Sequence, residues 1–133
     1  MTTVVMVADC GSEMARLTAA ISALPNMEIV RYASGRTPVS RIVAAHAPEL
    51  VLIGDMMPRQ VTLDRVVEAR AAAPRAAVVV LAADAGARWF ATALRAGATA
   101  VLPGEPSMKA LGAVLREVLA PDPPGAAPVA LVA

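Results

Sequence analysis

The stretch ELVLIGDMMP, Glu49 to Pro58, runs through branched apolar residues into a glycine, a carboxylate, two methionines and a proline. An aspartate at the tip of such a strand is placed for chemistry, so Asp55 is either a reactive group or the remnant of one. Asp9 closes an earlier apolar run. It could help hold a cation, but an aspartate in a strand-to-helix turn more often caps the following backbone, and the cap is the favoured reading. Cys10 beside it could be a redox thiol near a helix N-terminus. The plainer reading is a small apolar residue under a loop. His46 has no second histidine or cysteine at ligand spacing and reads as a surface residue.

Composition limits what these residues can do. A chain of 133 residues fits one domain with one core. It is 57% hydrophobic but only 2% aromatic, so the core must be built from Ala, Val and Leu. No apolar run reaches the roughly 18 residues of a membrane span, and the N-terminus lacks the basic region of a secretory signal. Neither a membrane association nor export is expected, and the cytoplasm is the expected location. The single cysteine excludes an intramolecular disulfide and a thiolate zinc cluster. Twelve basic and eleven acidic residues leave a net charge of +1 with no long basic run, which disfavours direct nucleic-acid binding.

Short β-branched runs alternate with stretches of helical period. TTVVMVAD predicts a first strand, and SEMARLTAAISAL places Met14, Leu17, Thr18, Ile21 and Leu24 at helical spacing, with Ser12 as the expected N-cap. MEIVRY predicts a second strand; TPVSRIVAAHA predicts a helix with Thr37 as N-cap and Pro38 in its first turn. ELVLIGD is the third strand. TLDRVVEARAAA predicts a helix with Leu63, Val66 and Val67 on one face, stopped by Pro74. AAVVVLAAD has no polar alternation, as in a strand buried on both faces. GARWFATALRA, capped by Gly97, is the fourth helix, TAVLPG the fifth strand, and SMKALGAVLREVL the fifth helix with Leu111, Leu115 and Val118 inward.

Five βα units argue for one α/β domain, a (βα)5 doubly wound parallel sheet of flavodoxin-like type with strand order 2-1-3-4-5. Ligands of such sheets gather at the carboxyl ends of strands 1 and 3, which singles out Asp9, Cys10, Gly54 and Asp55. From Ala120 the sequence APDPPGAAPVALVA loses helical period and gains four prolines. The domain is therefore expected over residues 1–119, and residues 120–133 as a Pro/Ala-rich disordered tail or linker stump.

The chain resembles the receiver domains of two-component response regulators, the CheY-like family, and most closely those fused to helix-turn-helix outputs. The resemblance runs from about Val4 to Leu119. It rests on ELVLIGDMMP against a strand ending Asp-x-x-Met-Pro, on RAAVVVLAAD against Val-Val-Leu-Thr-Ala, and on ALRAGATAVLPGEPS against Ala-Leu-Arg-Ala-Gly-Ala-x-x-Tyr-Leu-x-Lys. The family's chemistry implies phosphoryl transfer from a partner kinase to an aspartate. Carboxylates and Mg²⁺ surround that aspartate, and a hydroxyl and a lysine bind the phosphoryl oxygens.

Carried onto this sequence, that machinery is mostly missing. Counted back from Met57 and Pro58, the acceptor position is Gly54, and the first carboxylate position is Ala8, with Asp9 the second. The hydroxyl position is Ala82, the lysine position Gly104, and the switching aromatic Val101. The Gly-x-x-Gly turn after Met-Pro is RQVT, Arg59 to Thr62. Asp55 is one residue out of register, and alternation along a strand would turn its carboxylate away from Asp9.

The resemblance therefore implies a pseudo-receiver that is not an enzyme, needs no cofactor, and is not expected to bind Mg²⁺. Asp9 is the one weak candidate for a metal ligand. Contact is expected with a protein partner or a second copy, through the face made by the fourth helix, fifth strand and fifth helix, with Arg88, Trp89, Arg95, Lys109 and Arg116 as candidate contacts. Trp89 is equally readable as the core's one large ring. A DNA-binding output domain beyond the C-terminus would make the chain the regulatory part of a transcription factor. The alternatives are a small neutral ligand in the cleft of Ala8, Gly54, Ala82 and Gly104, or phosphorylation at Asp55. A nucleotide- or flavin-binding enzyme is the weakest reading, because DCGSE after the first strand supplies one glycine only.

Overall fold

A computed structural model describes residues 1–9, 11–82, 86–103, 108–119 and 129–130. Strands β1 (Thr2–Ala8), β2 (Met27–Ser34), β3 (Leu50–Ile53), β4 (Ala77–Ala82) and β5 (Ala100–Pro103) alternate with helices α1 (Ser12–Ser22), α2 (Ser40–His46), α3 (Arg59–Ala72), α4 (Ala87–Ala96) and α5 (Met108–Leu119). All pair in parallel, in the order β2-β1-β3-β4-β5. The expected α/β sheet and strand order are those observed. A sixth strand, β6 (Val129–Ala130), adds to the outer edge of β5 within the segment expected to be an unstructured tail.

The central strands explain their own composition. β3 and β4 are buried along their whole length, as is β1 from Val4 to Ala8, so each lacks polar alternation. Two apolar layers result. One lies under α2, α3 and α4 and includes Val43, Val66, Phe90 and Ala93; the other lies under α1 and α5 and includes Leu17, Ile21, Leu111 and Leu115. β2 is the outer strand on the other side of the sheet. Its Arg31 and Tyr32 face solvent, and a register shift opposite Val4 and Val5 bends it along β1.

Several helix starts differ from the sequence reading. Gly11, at φ +104°, takes the N-cap position of α1, and Ser12 becomes its first residue, with no side-chain cap. α2 begins at Ser40, not beside Thr37 and Pro38, because Val39 is anchored just before it. The Val39 side chain is fully buried, and its amide donates to Glu68 Oε1 at 2.8 Å. α3 begins directly after Pro58, so Thr62 lies inside it. On α3 the inward positions are Thr62, Arg65, Val66 and Ala69, whereas Val67 is 52% exposed. Arg65 tolerates burial because its guanidinium donates to both oxygens of Glu68, at 2.8 and 3.0 Å. The same carboxylate thus joins α3 to the start of α2.

Arg70 ties the far ends of the α3 and α4 layer together. It donates to the carbonyls of Gly97 (2.9 Å), Pro74 (2.8 Å) and Ala76 (2.9 Å) and to Thr99 Oγ1 (2.8 Å). Gly97 ends α4 as expected, at φ +126°, and a Cβ there would sit 2.8 Å from Arg70 Cβ and Cγ. Both the left-handed backbone and the arginine stem require glycine. Desolvation lowers the Arg70 pKa from its ordinary value.

Candidate functional site

The parallel strands deliver Ala8, Gly54 and Ala82 to one end of the sheet, where β1, β3 and β4 finish. All three are buried. The Gly54 amide donates to Val7 O at 2.8 Å, which carries the β1–β3 ladder one residue past β3. Gly104 and Cys10 lie outside the described residues.

The space at Gly54 is tight. A Cβ built there would lie 3.1 Å from Ala8 Cβ, 3.1 Å from Leu17 Cδ1 and 3.2 Å from Glu13 Oε1. These separations are tighter than ordinary van der Waals contact. Leu17 belongs to the α1 core layer, and Glu13 is an acidic residue in the first turn of α1, a favourable place against the helix dipole. Glu13 also pairs with Arg16 one turn on. Glu13 is not among the candidates that strand ends and motif counting single out. Its signal was an acidic residue in the first turn after Asp9.

Asp9 and Asp55 are held by different arginines. Arg36, just after β2, grips Asp9 with Nε to Oδ1 at 2.6 Å and Nη2 to Oδ2 at 2.7 Å, and its Nη1 donates to Met57 O at 2.7 Å. One guanidinium thus bridges the end of β1 to the loop after β3. A bidentate fork of this kind fixes geometry as well as charge. Hydrogen bonding to Asp9 holds the Arg36 pKa above its ordinary value; desolvation opposes the shift and the Asp9 charge adds to it. The favoured reading of Asp9 was a cap on the following backbone. Instead, α1 has no side-chain cap, and the Asp9 carboxylate serves an ion pair across the site. No motif or spacing singles out Arg36, since its partner lies 27 positions away.

Asp55 faces the other helical layer. Its Oδ2 lies 3.6 Å from Arg59 Nη2, one turn along at the start of α3, and its side chain is 15% exposed. Arg59 in turn lies over the Trp89 ring, 5.8 Å from the centroid. Trp89 is half-buried against the α2–α3–α4 core layer. Between Gly54 and α3 the chain is pinned by Thr62, whose fully buried hydroxyl accepts from Met56 N at 3.0 Å and donates to Met56 O at 3.2 Å. Met56 is itself buried against Gly35, where any side chain would collide with Met56 Sδ.

The other candidate contacts divide between the layers. Arg88 and Arg95 are exposed on α4; Lys109 and Arg116 are exposed on α5 and line a groove toward α1 and the start of β2. Among the described residues no group of three or more His, Cys, Asp or Glu side chains could hold a metal ion. Among the same residues no helix is long and apolar enough to cross a membrane.

Comparison with solved structures gives this geometry a context. The receiver domain of the putative response regulator NarL from Mycobacterium tuberculosis superposes with a TM-score of 0.77 at 18% identity, over 91% of this chain and 98% of that one. The fold is that of a receiver domain. A LuxR-family DNA-binding response regulator from Staphylococcus aureus matches with a TM-score of 0.75 at 18% identity, over 90% of this chain and 99% of that one. A putative pilus assembly protein, CpaE, from Burkholderia thailandensis matches with a TM-score of 0.71 at 19% identity, over 89% and 98%. No protein-family model and no curated protein sequence matches the chain. In the receiver fold, the end of the sheet that holds Ala8, Gly54 and Ala82 is the one the resemblance assigns to phosphoryl transfer. Here it carries an Arg36–Asp9 bridge and close packing around Gly54.

Proposed function

We propose that the chain is a receiver-fold signalling module, of the kind found in two-component response regulators, that acts by protein contact and independently of aspartyl phosphorylation. The observation that carries this reading is Gly54 itself, with no side chain to accept a phosphoryl group and with Ala8, Leu17 and Glu13 crowding the space where one would start. The Arg36 fork supports it, because it already supplies Asp9 with a cation. On this reading the protein is not an enzyme, requires no Mg²⁺ and works in the cytoplasm. The same packing speaks against a small ligand at Gly54. The burial of Asp55 beside Arg59 speaks against phosphorylation there. Titration with beryllofluoride and Mg²⁺ tests the proposal. Amide resonances around Asp9 and Asp55 are expected to stay fixed at millimolar metal; a saturable shift there would end it.

A second reading makes the chain the regulatory part of a transcription factor, joined to a DNA-binding output and pairing through the face of α4, β5 and α5. It is favoured by the LuxR-family response regulators among the similar structures, two of them described as DNA-binding. Arg88 and Arg95 offer exposed charge on α4 for such pairing. A helix-turn-helix encoded directly after Ala133 would support this reading; a stop codon there would remove it.

A further inference from the structure

At the end of the sheet opposite Gly54, α5 and the α1–β2 connection enclose a groove of about 510 Å³ over the first residues of β1 and β2. Leu24, Met27, Leu115 and Leu119 give it apolar walls. Lys109 and Arg116 stand on its α5 side, and neither makes an ion pair among the described residues. Among the described residues no acidic side chain lines it. Its volume lies in the range of small-molecule sites, roughly 300–1,000 Å³.

We infer that this groove binds a small anionic amphiphile, an unbranched apolar body ending in a free carboxylate. The apolar body lies on Leu24, Met27 and Leu115, and the carboxylate meets Lys109 and Arg116. Charge complementarity selects the anion, since both cations otherwise face solvent and nothing in the lining opposes a negative group. Gly112, midway between them on α5, leaves the wall open; a Cβ there would touch only Leu24 Cδ2, at 3.5 Å. The inference goes beyond the signalling role proposed above and stands without it, because the groove shares no residue with the Ala8–Gly54 end.

Methyl NMR of the full chain titrated with decanoate, and with decanol as the neutral counterpart, tests it. Decanoate is expected to give saturable shifts of the Leu24 and Leu115 methyls. The double variant Lys109→Glu/Arg116→Glu is expected to weaken decanoate about tenfold, as two exposed charge pairs allow, and to leave decanol unchanged. Gly112→Leu puts a better helix former into α5 while filling the groove, so it is expected to abolish both. Absence of saturable shifts at millimolar decanoate would overturn the inference. So would equal loss of decanoate and decanol in the charge-reversed variant, or methyl shifts that track protein concentration without ligand, which would mean that a second copy fills the groove.

Discussion

Gly54→Asp puts back the side chain that the receiver fold uses as acceptor, and the packing sets the cost. Its Cβ would fall 3.1 Å from Ala8 Cβ and Leu17 Cδ1 and 3.2 Å from Glu13 Oε1. Two of these neighbours, Ala8 and Leu17, are core residues with 0% and 4% exposure and cannot withdraw freely. Overpacking of this kind costs about 1–3 kcal/mol. The carboxylate then adds a negative charge beside Glu13 in a confined site, worth roughly another 1–3 kcal/mol. A total of about 2–6 kcal/mol, at roughly 3–4 °C per kcal/mol for a chain of this size, predicts a fall in Tm of about 6–24 °C.

Thermal unfolding by circular dichroism measures the fall, and two companions apportion it. Gly54→Ala carries only the steric part, so it is expected to lose about 1–2 kcal/mol. Glu13→Gln in the Gly54→Asp background removes the like charge, and is expected to recover about 1–2 kcal/mol that the same change does not yield in the parent protein. The reasoning fails if Gly54→Asp melts within about 2 °C of the parent. It fails equally if the variant becomes responsive to beryllofluoride and Mg²⁺ without loss of stability, since the acceptor space would then have been open all along.

Arg36→Ala frees the Asp9 carboxylate, so weak divalent-cation binding is expected to appear; Mn²⁺ is expected to broaden resonances near Asp9 in the variant and not in the parent. Thr62→Val leaves Met56 N and O without their partner inside the loop, and a loss of about 1–3 kcal/mol is expected in urea denaturation with unchanged m-value. Arg70→Met abandons three carbonyls and Thr99 Oγ1 at the junction of α3, α4 and β5, with an expected loss of about 2–4 kcal/mol by the same assay. Arg59→Ala uncovers the ring of Trp89, the sole tryptophan, so its emission is expected to shift to longer wavelength.

The elements were legible because their signals are local. Unbroken apolar runs such as AVVVLA mark strands with two covered faces, and Gly97 marks a helix end. Pattern alone misassigned the inward face of α3: Val67 is apolar yet exposed, and Arg65 is charged yet buried, because a carboxylate at i+3 shields its guanidinium. The ends of helices shifted for a related reason. Val39 and Thr62 are fixed by bonds to residues outside their own turns, and spacing rules see only the turn.

The site was half legible in the same sense. Gly54, Ala8 and Ala82 could be located by counting, but what fills the space they leave could not, since Leu17 and Glu13 come from a helix and Arg36 from the end of an edge strand. These replacements are coupled physically. Asp9 would stand as a solitary carboxylate just past the end of β1 unless a cation met it. Arg36 is that cation, carried by the chain itself, and through Met57 O it also holds the loop that follows β3. On the proposed reading, a receiver fold whose β1 and β3 ends are joined by its own side chain presents its surface to a partner without phosphoryl transfer.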